Sequence, residues 1–165
     1  MHDNVALLKK LFTALGRRDH EAIASCYADD AHFRDIAFSL SGKARIHDMW
    51  RMICEGGCAI EVGDFGVIEA DDCRGRAWVV EHYMFHRRKS RHRVPVDNVI
   101  SSTFRFRHGR IVGQEDHCDS KEWARQAMGE GLAGFLAGRL RPLRWFFAKR
   151  KLAKFVKSRP RSPRT

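Results

Sequence analysis

From residue 59 to 119 the chain carries four long runs of alternating apolar and polar residues: AIEVGDFGVIEA, RAWVVEHYMFHRR, RVPVDNVISSTFRFR and GRIVGQEDHCD. The turn-like segments DDCRG, RRKSR and RHG separate them. A period of two marks strands, and connections this short join neighbours antiparallel, because a parallel pair needs a crossover of a dozen residues or more. The region therefore predicts a four-stranded meander. Gly63 and Gly66 inside the first run predict a bulge or bend, as a curved sheet needs.

Such a sheet must cover one face, and the first 55 residues supply the cover. Val5, Leu7, Leu8, Leu11, Phe12 and Leu15 recur at helical spacing over residues 3–15, ending at Gly16. Asp19 can cap a short second helix, HEAIASCYA, with Ile23, Cys26 and Tyr27 on one side. AHFRDIAF reads as a short strand, with Phe33 and Asp35 on one face and His32, Arg34 and Ile36 on the other. KARIHDMWRMICE places Ile46, Met49, Trp50 and Ile53 on a helical stripe. Helices first and a sheet afterwards predict an α+β fold: a cone-shaped barrel of curved, mixed or antiparallel sheet packed on three N-terminal helices, its mouth a natural ligand site.

At 165 residues one core suffices, and the charge divides unevenly along it. Eleven of the 31 Lys and Arg residues lie in 139–165, which holds no Asp or Glu; the other twenty balance the 20 acids. The division reads as a neutral domain over 1–128, a basic helical extension over 129–157 and a disordered tail over 158–165. In the extension Trp145, Ala148, Leu152, Phe155 and Val156 form one stripe ringed by Lys and Arg. Three readings stay open for it: packing on the body or a second subunit, lying on an anionic membrane surface through residues 139–165, or sequence-blind contact with phosphates. Sequence-specific nucleic-acid recognition is not expected. Without a long apolar run or signal peptide, a cytoplasmic protein is expected, peripheral to a membrane if the extension docks there. The five cysteines are odd in number and scattered, which suits buried small residues; Cys54 and Cys58, four apart, are the one pair that could share a metal with a histidine, and packing is the preferred reading. No metal or cofactor is expected.

YADDAHFRD, SGKARI, FRFRHGRI and DHCDSKEWARQAMG, in this order over residues 3–129, resemble the superfamily of ketosteroid isomerases and SnoaL-like polyketide cyclases, the cone-shaped fold named for nuclear transport factor two. From Asn98 through Trp123 to the basic tail the chain resembles a bacterial subgroup with the same extension. The resemblance implies a homodimer, pairing through the sheet, that binds an apolar small molecule. Asp35 falls where the isomerase carries its base, but Leu11 and Ser102 stand where its oxyanion Tyr and Asp would be, and Trp50 where a supporting Tyr would be. In the SnoaL-like cyclases the acid/base is an Asp late in the sheet, which matches Asp116.

Two functions follow as expectations. One is a cofactor-independent isomerase, cyclase or dehydratase moving protons with Asp116 or Asp35. The other is a non-catalytic ligand-binding or adaptor module whose basic helix docks on a membrane or partner. Strand parity taken from FRFRHGRI turns Gln114, Asp116 and Cys118 inward and Glu115 and His117 outward, a choice that a one-residue bulge before Asp116 would reverse. Asn98, Ser102, Gln114, Asp116 and Asp35 would line one chamber, with Tyr27, Phe33 and Trp50 as apolar contacts. His82 is a further candidate, although parity cannot choose between its face and the Val79, Glu81, Tyr83 and Phe85 face. His47, His86, His92 and His108, among arginines or in turns, read as surface residues.

Overall fold

The computed structural model describes residues 3–56, 60–86, 93–129, 131 and 140–159. Cys58, His92 and the tail beyond residue 159 lie outside them, as does the side chain of His86. In chain order the elements are α1 (Asp3–Gly16), α2 (His20–Ser25), β1 (Tyr27–Arg34), β2 (Ser39–Ser41), α3 (Lys43–Glu55), β3 (Glu61–Ala70), β4 (Arg74–His86), β5 (Arg93–Arg107), β6 (Arg110–His117), α4 (Ser120–Met128) and α5 (Arg141–Ser158). The caps follow the sequence: Asp19 accepts from the Ala22 amide at the start of α2, and Asp119 from Lys121 and Glu122 at the start of α4. His108 and Gly109, both at positive φ (52° and 67°), make the tight β5–β6 turn.

One six-stranded sheet runs β2-β1-β6-β5-β4-β3, antiparallel throughout except for β1 beside β6. This corrects the expected cone-shaped barrel. Closure would require the two outermost strands to pair, yet β2 has three residues and β3 occupies the far edge, so the sheet stays open and is not strongly curled. The α+β arrangement itself stands, with the helices over one face. The expected bulge in β3 is present, in the register shift between Val62 and Phe65 that contains Gly63.

Two local readings also change. Tyr27 ends no helix: α2 stops at Ser25 and Tyr27 begins β1, paired with Ile111, because the sheet partner outweighs local helix preference. The segment AHFRDIAF, expected as one strand, is the second half of β1 followed by a turn at Asp35–Phe38, beyond which β2 begins.

Leu8, Leu11, Phe12 and Leu15 of α1, Ile23 of α2, and Ile46, Met49 and Trp50 of α3 bury against Phe33, Ala77, Val79, Phe104, Phe106 and Ile111 of the sheet. The stripe expected on the extension packs back on this body: Leu152 is buried, with Ala148, Phe155 and Val156 against the core. Arg159 and Arg51 both reach Glu55 at the end of α3. At the other end of α5, Arg144 donates to the Ile36 carbonyl (3.0 Å) and Trp145 receives the Arg34 guanidinium over its ring (5.7 Å), so α5 crosses the β1–β2 turn. Among the described residues no helix is long and apolar enough to cross a membrane.

Candidate functional site

Between the helices and the inner face of the sheet lies a chamber. Leu11, Phe12, Leu15, Ile23 and Val79 form its apolar wall, and Trp50, Glu81, Ser102, Gln114 and Asp116 face it with polar groups. The free space is about 10 Å³, room for about one water.

A bulge in β6 decides which residues enter. Opposite β5, Arg110 faces Arg107 and Ile111 faces Phe106, but Gly113 faces Arg105, so Val112 is an extra residue. Were Val112 instead paired regularly with Arg105, the ladder from the turn would align Gly113, Glu115 and His117 with the inward Phe104, Ser102 and Ile100. With it, Gln114 stands opposite Phe104 and Asp116 opposite Ser102, both inward, while His117 pairs with Ser101 and is exposed. The inward set is the expected one, but the bulge creates it rather than reversing it.

A directed chain of hydrogen bonds fixes the Asp116 carboxyl. Trp50 Nε1 donates to the Tyr27 hydroxyl (3.3 Å), Tyr27 donates to Gln114 Oε1 (2.5 Å), and Gln114 Nε2 reaches both Asp116 oxygens (2.9 Å each). An indole can only donate, so the Tyr27 proton is left for Gln114, whose amide nitrogen must then face Asp116. Burial pushes the Asp116 carboxyl up to about 6, with Ser102 and Gln114 holding it back in part. Ser102 Oγ, buried on the opposite strand, favours the carboxylate without making a hydrogen bond among the described residues.

Glu81 is the acid that sequence reasoning passed over. It is 6% exposed, opposite Asn98 in the β4–β5 ladder, and no donor among the described residues hydrogen-bonds its side chain. Burial first, then the charges of Asp116 and Asp35, push its carboxyl up to about 8. The available signal was the face it shares with Val79, Tyr83 and Phe85. That face turns inward, so His82 lies outside, 46% exposed and 2.6 Å from Asp97.

Of the other expected residues, Asn98 is buried, facing inward, and Cys118 lies beside it half-buried, its thiol pushed by burial up to about 11 and so protonated at neutral pH. Phe33 is core, edge-on to Trp50. Asp35 spends Oδ1 on the Ala37 amide (2.6 Å) and the Phe38 amide, which makes it the clasp of the β1–β2 turn as well as a charge felt by Glu81. His108 is exposed as expected, whereas His47 is half-buried, 2.9 Å from His20.

A family model described as the SnoaL-like domain matches residues 8–114, ending two residues before Asp116. No curated protein matches the sequence significantly. Two solved structures described as "putative polyketide cyclase" share the fold. One, from Pseudomonas putida, is 17% identical with a TM-score of 0.67, over 77% of this chain and 98% of its own. The other, from Xanthomonas campestris pv. campestris, is 20% identical with a TM-score of 0.66, over 76% and 96%. An M. tuberculosis LEH-like epoxide hydrolase is 15% identical with a TM-score of 0.60, over 76% and 90%. At these identities the likeness is one of fold.

Proposed function

This chain belongs to the SnoaL-like family, and we propose that its chamber moves protons on an apolar carbonyl compound, as a cofactor-independent isomerase, cyclase or dehydratase. The observation that carries this reading is the division between two acids that face one chamber, Asp116 half-buried and Glu81 buried. With Asp116 near 6 and Glu81 near 8, neutral solution leaves the first a carboxylate and the second a carboxylic acid. A base and an acid in one water-poor chamber are what enolisation needs. Asp116, aimed by Gln114, takes the proton from the carbon beside the carbonyl. The electron pair moves onto the carbonyl oxygen, to which Glu81 donates its hydrogen. Return of the proton from Asp116 to another carbon, with the enol hydrogen going back to Glu81, completes an isomerisation; its delivery from Asp116 to a departing β-hydroxyl, which leaves as water while Glu81 recovers the enol hydrogen, completes a dehydration. Asp35, occupied by its turn, contributes charge. Because the free space is so small, the reacting end of the substrate must displace lining side chains such as Leu11 and Trp50.

The test is hydrogen–deuterium exchange and turnover on a panel of apolar ketones and polyketide-like compounds. Asp116→Asn and Glu81→Gln should each lower the rate by about a hundredfold or more. Unchanged rates in both variants would end the proposal.

A second reading, a docking module, has its own observation. On α5 the face opposite the packed stripe carries Phe146 and Phe147, 54% and 49% exposed, among Arg150, Lys154 and Lys157. Aromatic rings within a basic face suit an anionic bilayer, where the rings enter the headgroup boundary and the cations meet phosphates. Co-sedimentation with phosphatidylglycerol vesicles, but not phosphatidylcholine vesicles, and its loss in Phe146→Ser/Phe147→Ser would support docking. Binding to neither vesicle would remove it.

A further inference from the structure

We propose that His20, His47 and Glu21 form a binding site for a divalent transition cation of the zinc class, on the outer side of the α2–α3 pair. His20 and Glu21 open α2, and His47 comes from the second turn of α3. Three atoms converge: His20 Nδ1 and His47 Nε2 are 2.9 Å apart, Glu21 Oε1 is 3.1 Å from His47 Nε2, and it is 3.7 Å from His20 Nδ1. Among the described residues this is the group whose ligand atoms come together closely enough to hold an ion.

The size of the triangle is the first argument. Imidazole nitrogens and carboxylate oxygens bind zinc at about 2.0–2.2 Å, so two ligands at tetrahedral angles stand roughly 3.4 Å apart. The three edges bracket that value, and only small side-chain shifts separate the present arrangement from a coordinated one.

Proton count is the second. Each of the three atoms can offer a lone pair toward the common centre, and a carboxylate has no proton to give. One N–H between the imidazoles satisfies their contact, but then points away from Glu21. A cation satisfies all three at once.

The third is the support behind His20. Its other nitrogen, Nε2, lies 3.4 Å from Glu55 Oε1, and Glu55 is itself held by Arg51 Nε (3.0 Å) and Arg159 Nη1 (3.1 Å). A carboxylate behind a histidine fixes which ring nitrogen faces the ion and strengthens it as a ligand. With three protein ligands the fourth position stays open to water. The site also stands one turn from the chamber on each helix, His20 before Ile23 and His47 before Trp50, so an ion there braces two of its walls.

The experiment uses the full chain stripped with a chelator and titrated with Zn2+ or Co2+. The expected result is one ion per chain, a tetrahedral Co2+ absorption spectrum and a rise in melting temperature on adding Zn2+. His20→Gln and His47→Gln should weaken binding by about a hundredfold or more, and Glu55→Gln by about tenfold. Glu21→Gln, at an exposed position where folding is not at stake, should also weaken it and alter the cobalt spectrum. Absence of binding in the wild type, or the same affinity and stoichiometry in His47→Gln and Glu21→Gln, means an adventitious ion only and overturns the proposal.

Discussion

Ser102 and Asp116 stand opposite each other across the β5–β6 ladder with both side chains turned inward, and they do so because Val112 bulges out of β6. A regular ladder that kept Val112 and paired it with Arg105 would instead turn Glu115 and His117 toward the core in place of Gln114 and Asp116. Burying a charged acid and a histidine without partners costs several kcal/mol each, of order the whole stability of a small domain. Inserting one alanine between Gly113 and Gln114, beyond the bulge, should therefore abolish the cooperative urea transition, whereas deleting Val112, which leaves Gln114 opposite Phe104 and Asp116 opposite Ser102, should retain it. An insertion variant as stable as the wild type would show that burial of Gln114 and Asp116 does not hold the register.

The two raised carboxyl pKa values also predict how stability depends on pH. Folded-state values of about 6 for Asp116 and about 8 for Glu81 lie above the ordinary 3.8 and 4.5, so the folded protein holds protons that the unfolded chain releases. Their contribution to stability is complete below about pH 4 and is lost as pH rises through about 6 and then about 8. Glu81→Gln, which cannot ionise, should flatten this fall and raise stability at pH 9 by on the order of 3 kcal/mol. Urea denaturation of both proteins at pH 5 and pH 9 checks it; equal gains at the two pH values would point to packing instead.

Much of this architecture is legible before any coordinates, and the parts that are not share a cause. The period-two runs, the turn at His108-Gly109 and the apolar stripe of α5 are local signals, and each describes what the chain does. Glu81 escapes because β4 is apolar on both faces, with Trp78, Val80 and Met84 on one and Val79, Tyr83 and Phe85 on the other. The choice between them is made by pairing with β5, Glu81 against Asn98. Tyr27 sits in a sequence with helical composition and is drawn into β1 by Ile111, far along the chain. Sheet closure depends on whether β2 and β3 meet, which no property of either run announces. The His20–His47 contact joins residues 27 apart on different helices, so spacing alone could not find it.

Tyr27 holds the relay together from a fully buried position, accepting from Trp50 and donating to Gln114. In Tyr27→Phe both partners lose a hydrogen bond inside the core, at a cost of about 2–3 kcal/mol in urea denaturation. With Tyr27 gone, nothing in the relay obliges the Gln114 amide nitrogen to face Asp116, so the Asp116 carboxyl should titrate at higher pH than in the wild type. Carbon-13 NMR of the Asp116 side chain reads this directly. An unchanged titration would mean that burial alone sets it, with no part for the relay.

Proton transfer in the chamber requires Asp116 ionised and Glu81 protonated, two conditions that coexist only between their pKa values. Exchange of the hydrogen beside a substrate carbonyl should therefore rise through about pH 6, plateau near neutrality and fall through about pH 8. The two limbs belong to the pair as a whole, since the charge of one acid shifts the other. In Glu81→Gln the falling limb should disappear, leaving a slower rate that no longer declines at high pH, while the rising limb should stay near pH 6, where Glu81 is already neutral. In Asp116→Asn no rising limb should remain. A profile that keeps both limbs in Glu81→Gln would assign the acid to another group and leave Glu81 as a buried spectator.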